Sequence, residues 1–319
     1  MKNKLKAIIL GANSHIAKGL IYNFISDGNF ELYLYTTNKY KTKDFLKTLN
    51  RKANIFVKNY GQNFPKNANL IINCVGPGTP KSMEGHYERW FFLLEKFDNL
   101  CLSYIEKNPK TLYVHFSSGA VYGTLKDAAT KDSVNYFPVN DLKWQRFYGL
   151  SKLYAEGKHR ALVDYNIVDL RVFSYFSRFV NITEDYFLPN IISAIKNSEI
   201  LEVSDNDMVR DFISPADLFK LILTCLKYSK KQILNLPLDV RSKKPITKKQ
   251  ILNFFVKNYG LKYNVSKGLE IKNSGGIKNN YFSKYKEPFE KIRFKPSHTS
   301  LDTLKIEVDY IFMKGDKNE

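Results

Sequence analysis

The 319-residue chain predicts an α/β fold in which a Rossmann-like, doubly wound parallel sheet is joined to a smaller C-terminal lobe. Short apolar runs of strand length alternate with longer helix-periodic stretches up to about residue 173, the pattern of one parallel sheet covered by helices on both faces. The first of these runs ends in Gly11 and leads straight into a helical stretch, so a tight turn lies where strand meets helix N-terminus. Beyond 173 the alternation breaks up, and after Lys230 it fades. We therefore expect a dinucleotide-binding domain over 1–173 and a substrate-binding lobe over 174–319, parts of which can return to the sheet.

Composition bounds the reading. A hydrophobic content of 44% supplies a sizeable core. No run of about twenty apolar residues appears, and Met1 to Leu10 reads as a short basic lead into a strand. No membrane span is expected, and the cytoplasm is the expected address. Cys74, Cys101 and Cys225 have no metal or disulfide spacing and are expected to be reduced and mostly buried. No metal site is expected. The net charge of +19 raises a nucleic-acid reading, but lysine is spread from Lys2 to Lys317. Runs such as Lys243-Lys244 and Lys248-Lys249 read as solvated faces, so nucleic acid is an unlikely partner and anionic, phosphate-bearing small molecules remain.

In order, Leu5 to Gly11 predicts a buried strand, and a helix follows from His15 to Ser26. Between them Gly11-Ala12-Asn13-Ser14-His15-Ile16-Ala17 stands where a dinucleotide-binding turn belongs. Gly11 supplies the turn, Ala17 is small enough for helix packing, and Ser14 replaces a middle glycine with a hydroxyl that can reach a phosphate oxygen. Glu31 to Thr36 predicts a second strand. After it come Thr37, Asn38 and Lys39 with no carboxylate to receive an adenosine ribose, which favours NADP over NAD. A helix over Lys41 to Asn50, a short strand over Asn54 to Val57 and the run Leu70 to Gly76 continue the alternation. Cys74, Val75 and Gly76, with Pro77-Gly78, then turn the chain closely past the strand ends. A long helix over Glu84 to Lys107 carries Trp90 and Phe91 to Leu94 as core. Tyr113 to Ser118 and Ile167 to Phe173 predict further strands, and Tyr186 to Asn197 and Leu218 to Tyr228 helices.

The chemistry concentrates at Ser117-Ser118 and at Tyr148-Gly149-Leu150-Ser151-Lys152. On a helix Tyr148 and Lys152 share one face, four positions apart. An ammonium there is expected to lower the phenol's pKa and make Tyr148 a general acid/base, while Ser118 at the preceding strand end holds the substrate oxygen. This set suits proton transfer coupled to hydride transfer with a nicotinamide.

Several segments together resemble the extended short-chain dehydrogenase/reductase family of NAD(P)-dependent nucleotide-sugar epimerases, dehydratases and reductases. They are the turn at Gly11, Phe116 to Gly123, Tyr148 to Lys152, Leu170 to Phe173, and Val209 to Ile213 with Asp217, spread over about 6–230. The resemblance implies Ser118 as the orienting hydroxyl, with Ser117 beside it in the substrate site. It implies Tyr148 as acid/base and Lys152 as its ribose-binding partner, Arg210 on the nucleotide diphosphate, and Asn99 and the Cys74 to Gly76 turn at the cofactor. Ser118 is followed by Gly119-Ala120 where the family's dehydratases place an acidic pair, so dehydration is disfavoured. A homodimeric keto-sugar reductase, or an epimerase working through a keto intermediate, is the expected enzyme. The alternatives are a non-catalytic cofactor-binding sensor, which would need no Tyr148 or Lys152, and an RNA-binding protein, motivated by charge alone.

Overall fold

The computed structural model describes residues 4–51, 53–76, 85–267 and 279–315. The chain begins with β1 (Leu5–Leu10), α1 (His15–Asp27), β2 (Phe30–Thr36), α2 (Lys39–Thr48), β3 (Ile55–Asn59) and β4 (Leu70–Asn73). Next are α3 (Glu88–Lys107), β5 (Leu112–Ser118), α4 (Phe147–Ala161), β6 (Ile167–Val172) and β7 (Ser174–Tyr175). Then come α5 (Phe187–Lys196), β8 (Ile200–Ser204), β9 (Val209–Arg210), β10 (Phe212–Ile213), α6 (Pro215–Ser229) and β11 (Asn235–Val240). The chain continues with β12 (Ile246–Thr247), α7 (Lys248–Tyr259), β13 (Lys262–Ser266), β14 (Asn280–Tyr281), α8 (Glu287–Lys291) and α9 (Ser300–Gly315).

Seven strands form one sheet in the order β11-β6-β5-β4-β1-β2-β3. Every pairing in it is parallel, including β1 with β4, where Ala7 faces Leu70 and Leu10 faces Asn73. The unbroken apolar sequence of β1 follows from covering both faces. Ala7 and Ile9 join a core shared with α1 and α6, while Ile8 and Leu10 join the core beneath α3. The order reverses direction at β1 and β4, which opens a crevice at the C-terminal ends of those strands.

The segment after 173 is divided between two places. Helix α6 packs on α1 and β11 pairs with β6, so both belong to the layers of the main sheet. A second core gathers residues from α5, α7 and α9 around Ile191, Phe255 and Leu304. Helix α7 begins with a capping box in which Thr247 and Gln250 satisfy each other's backbone, a local signal within the segment whose periodicity is weak. Lys248, expected on a solvated face, is instead buried, and its ammonium donates to the carbonyls of Ser204 and Asn206. The three cysteines are free and buried. Pro77 and Gly78 lie outside the described residues. Among the described residues no helix is long and apolar enough to cross a membrane.

Candidate active site

A cavity of about 990 Å³ runs from the start of α1 to the C-terminal lobe. His15 and Gly76 line its sheet end, Tyr148 and Lys152 its wall, and Arg210 and Tyr281 its lobe end. At the sheet end Gly11 has φ +74°, and a Cβ there would stand 2.7 Å from the carbonyl oxygen of Cys74. Only glycine lets β1 turn this close to the end of β4. Ser14 caps α1 by accepting from the Ala17 amide, so its oxygen is engaged while its proton remains available. Asn13 is not directed at a ligand. Its amide donates to Thr36 and to the Asn38 carbonyl and accepts from Thr42, tying this turn to the end of β2.

His15 is half-buried against Tyr175, with ring centroids 4.9 Å apart, and its Nε2 lies 2.8 Å from the Ser177 hydroxyl. Burial lowers its pKa to about 4, so the ring is neutral. Ile16 is half-buried on the same turn. Cys74 is buried, Val75 donates to the Asn73 side chain, and Gly76 is exposed at the cavity. Asn38 caps α2, while Thr37 is exposed and Lys39 half-exposed. Close by, Lys18 is half-buried, its pKa lowered by burial and by the charge of Lys41.

Ser118, Tyr148 and Lys152, the set expected to be catalytic, meet where β5 ends against α4. Gly149 makes this possible, since a Cβ there would lie 2.4 Å from the carbonyl oxygen of Ala120. Ser118 accepts from the Ala120 amide at 3.2 Å and lies 3.0 Å from the hydroxyl of Tyr281, a residue to which the sequence drew no attention. Lys152 is buried and donates to the Phe116 carbonyl at 2.7 Å, with its Nζ 5.9 Å from the Tyr148 ring centroid. The expected lowering of the phenol's pKa is therefore not found. Burial and the neighbouring Tyr281 push Tyr148 up to about 12, with only a hydrogen bond to Ser118 acting the other way. Lys152 itself is lowered to about 8 by burial, against the charges of Asp98, Asp169 and Glu156. Trp90, assigned to the core, is buried and also meets Tyr148 edge-on at 5.4 Å.

Two further expectations need correction. Ser117 points away from the cavity, because neighbouring residues of a strand face opposite sides, and its hydroxyl donates to Glu156 at 2.5 Å. Asn99 is exposed on α3 and accepts from Lys158 at 2.9 Å, whereas the adjacent Asp98 faces inward. Arg210 is half-buried and donates to the carbonyls of Val209 and Asn279. Among the described residues it forms no ion pair, while burial lowers its pKa, so an anion in the cavity would find an uncompensated guanidinium. Asp211 binds the Ser242 amide and serves the backbone.

Beneath the site α4, β5 and β6 enclose a charged layer the sequence did not announce. Asp169 receives both His115 and His159 at 2.7 Å, and His159 also bonds Asp98 at 2.8 Å. Arg160 and Lys158 pair with the two aspartates. Ligand atoms of His115, His159 and Asp169 lie within 4.8 Å of one another, spacing that a metal could use. The chemistry favours hydrogen bonds, since both nitrogens of His159 already face carboxylates. Burial alone would depress its pKa, yet Asp169 and Asp98 raise it to about 9.

A parallel sheet with a serine hydroxyl, a phenol and a lysine gathered at its crevice defines a protein of the short-chain dehydrogenase/reductase class. Residues 9–236 match the NAD dependent epimerase/dehydratase family, and the chain belongs to it. No curated protein matches the sequence. Among solved structures it is similar to a mutant UDP-glucuronic acid 4-epimerase from Bacillus cereus, in complex with UDP-4-deoxy-4-fluoro-glucuronic acid and NAD. Identity there is 16%, coverage 97% of this chain and 100% of that chain, and the TM-score 0.75. A UDP-N-acetylglucosamine 4-epimerase from Methanobrevibacter ruminantium, in complex with UDP-N-acetylmuramic acid, is 17% identical, with coverage of 99% and 100% and a TM-score of 0.77. A UDP-glucose 4-epimerase from Stenotrophomonas maltophila, with NAD and formylated UDP-arabinopyranose, is 12% identical, with coverage of 98% and 99% and a TM-score of 0.78. At these identities the likeness is one of fold.

Proposed function

We propose that the protein is an NADP-dependent enzyme acting on one carbon of a nucleotide-linked sugar, as a keto-sugar reductase or as an epimerase through a keto intermediate. The observation that carries this reading is that Tyr148 and Lys152 line one cavity whose far end presents Arg210, with Ser118 hydrogen-bonded just behind its wall to Tyr281 and Tyr148. The residues fit a dinucleotide: the Gly11 turn brings the N-terminus of α1 to the crevice, and Gly76 exposes backbone beside it. When bound, the nicotinamide supplies the hydride donor or acceptor. Ser118 and Tyr148 hold the sugar oxygen, and Tyr148 gives that oxygen a proton in reduction or removes it in oxidation. Lys152, held against the Phe116 carbonyl one helical turn from Tyr148, would anchor the cofactor ribose. Arg210 holds the diphosphate, and the absence of an acidic pair after Ser118 disfavours dehydration.

The choice of NADP is supported by Thr37 and Lys39 after β2 and by the close ammonium groups of Lys18 and Lys41, which favour an added phosphate. The solved structures named above include complexes with NAD, so cofactor choice is a direct test. A homodimer completes the reading, supported by exposed Phe92 on α3 and Tyr154 on α4.

Nucleotide sugars screened by thermal shift with NADPH present should yield a ligand, and single-turnover assays then follow cofactor and sugar together. Stoichiometric NADPH oxidation identifies a reductase, and inverted sugar in an assay supplied with NADP+, with no net cofactor reduction, an epimerase. Replacing Arg210 with Met should weaken nucleoside diphosphate binding about ten- to hundredfold. Unchanged affinity removes Arg210 from the site, and equal or tighter binding of NADH refutes the NADP assignment.

A further inference from the structure

We propose that Tyr281, delivered by the C-terminal lobe, is a positioning residue whose phenol holds Ser118 in the orientation catalysis needs. The inference rests on the assignment of Ser118 and Tyr148 to the reacting oxygen.

Tyr281 lies 163 residues from Ser118 in the chain, yet its hydroxyl stands 3.0 Å from the serine oxygen. It is buried, and its ring packs against Phe173 with centroids 5.1 Å apart, so the phenol is fixed in place. A serine hydroxyl has one proton and two acceptor positions. The Ala120 amide donates to Ser118, and either hydroxyl of the 3.0 Å pair can be the donor; with Tyr281 donating, the serine's remaining acceptor position is filled. The serine proton is then left to point at an oxygen shared with Tyr148. Burial pushes the Tyr281 phenol up to about 12, against its bond with Ser118, the charge of Arg210 and a backbone bond with Ala120, so it is protonated at neutral pH.

The same strand pair makes the placement conditional on the lobe. In β14 and β9 Tyr281 and Arg210 are register partners, so the residue expected to hold the diphosphate and the residue that orients Ser118 move together. The lobe thereby contributes to the geometry of the chemical step as well as to binding.

Tyr281→Phe keeps the ring on Phe173 and removes only the hydroxyl. With the substrate from the screen, kcat should fall about tenfold, the rate equivalent of one hydrogen bond, while KM and NADPH affinity hold. In a Ser118→Ala background the same change should cost nothing further, because Tyr281 acts through Ser118. Unchanged kcat, an effect on KM alone, or additive losses would overturn the proposal.

A second measurement needs no substrate. In the spectrum of protein labelled with 13C at the tyrosine Cζ, the Tyr148 signal is identified by its loss in Tyr148→Phe. It should move in both Ser118→Ala and Tyr281→Phe. A Tyr148 signal that shifts in the first variant and stays in place in the second refutes the coupling even where no substrate has been found. If the signal moves but no nucleotide sugar reacts, the positioning stands and the proposed activity fails.

Discussion

Ser117 and Ser118 are neighbours in sequence and belong to two different environments. Ser118 belongs to a cluster of hydroxyls with Tyr281 and Tyr148, both of which line the cavity. Ser117 faces a dense layer of charge, where Glu156 pairs with Arg171 at 2.6 Å and Arg171 reaches on to Asp239 at 3.4 Å. Helix α4 serves both, with Tyr148 and Lys152 near its start and Glu156 and His159 farther along the buried face. The difference teaches that one helix face can hold chemistry at one end and structural ion pairs at the other. Its polar inner residues cannot all be read as catalytic.

Substitutions can separate the two regions. The largest expected effect is that of Tyr148→Phe, which keeps the ring and removes the acid/base hydroxyl. Turnover should fall by roughly two to four orders of magnitude while NADP binding and the denaturation midpoint hold. Near-normal single-turnover hydride transfer would end the proposed mechanism.

Asp169→Asn should do the reverse in kind. It leaves buried His159 and half-buried Arg160 without their shared counter-charge, and for the buried histidine this costs about 3–5 kcal/mol of stability. Urea denaturation measures this loss. A change below about 1 kcal/mol would mean that the layer contributes little to folding.

The smallest effect is a pH dependence. The pKa of His159 is raised from 6.5 to about 9, so its contribution is complete below 6.5 and declines as pH rises toward 9. The pKa values of His15 and His115 are lowered by burial, so their contributions are lost as pH falls below 6.5. Stability should therefore peak near pH 6.5. Lys152, lowered to about 8, opposes the decline above that value, so the interval between 6.5 and 8 isolates His159. Replacing His159 with Asn should abolish the fall there, and a fall of equal size in that variant would assign it to another group.

Much of the site was legible because its requirements are local. Gly11 after an apolar strand, and Tyr148 with Lys152 one helical turn later, are constraints of backbone geometry and helical spacing. Ser117 was misread because the residue pair alone does not say which member faces the crevice until the strand's register is fixed. Asn99 lay one position from the inward residue, and that displacement turns a helical side chain by about 100°. Lys152 was expected to act on the Tyr148 phenol, but a sequence carries no measure of desolvation, which dominates both groups.

By itself the sequence determined the parallel sheet, the position of the glycine turn and the spacing that sets Tyr148 and Lys152 one helical turn apart, since each depends on residues close together in the chain or on the periodicity of burial. Tertiary structure alone decided that Tyr281 meets Ser118, that Arg210 stands beside Tyr281, and that His115, His159, Asp98 and Asp169 share one buried network. The physical reason is that these groups come from strands and helices far apart in sequence. Their partners, and the desolvation that sets their protonation, exist only once the elements have packed.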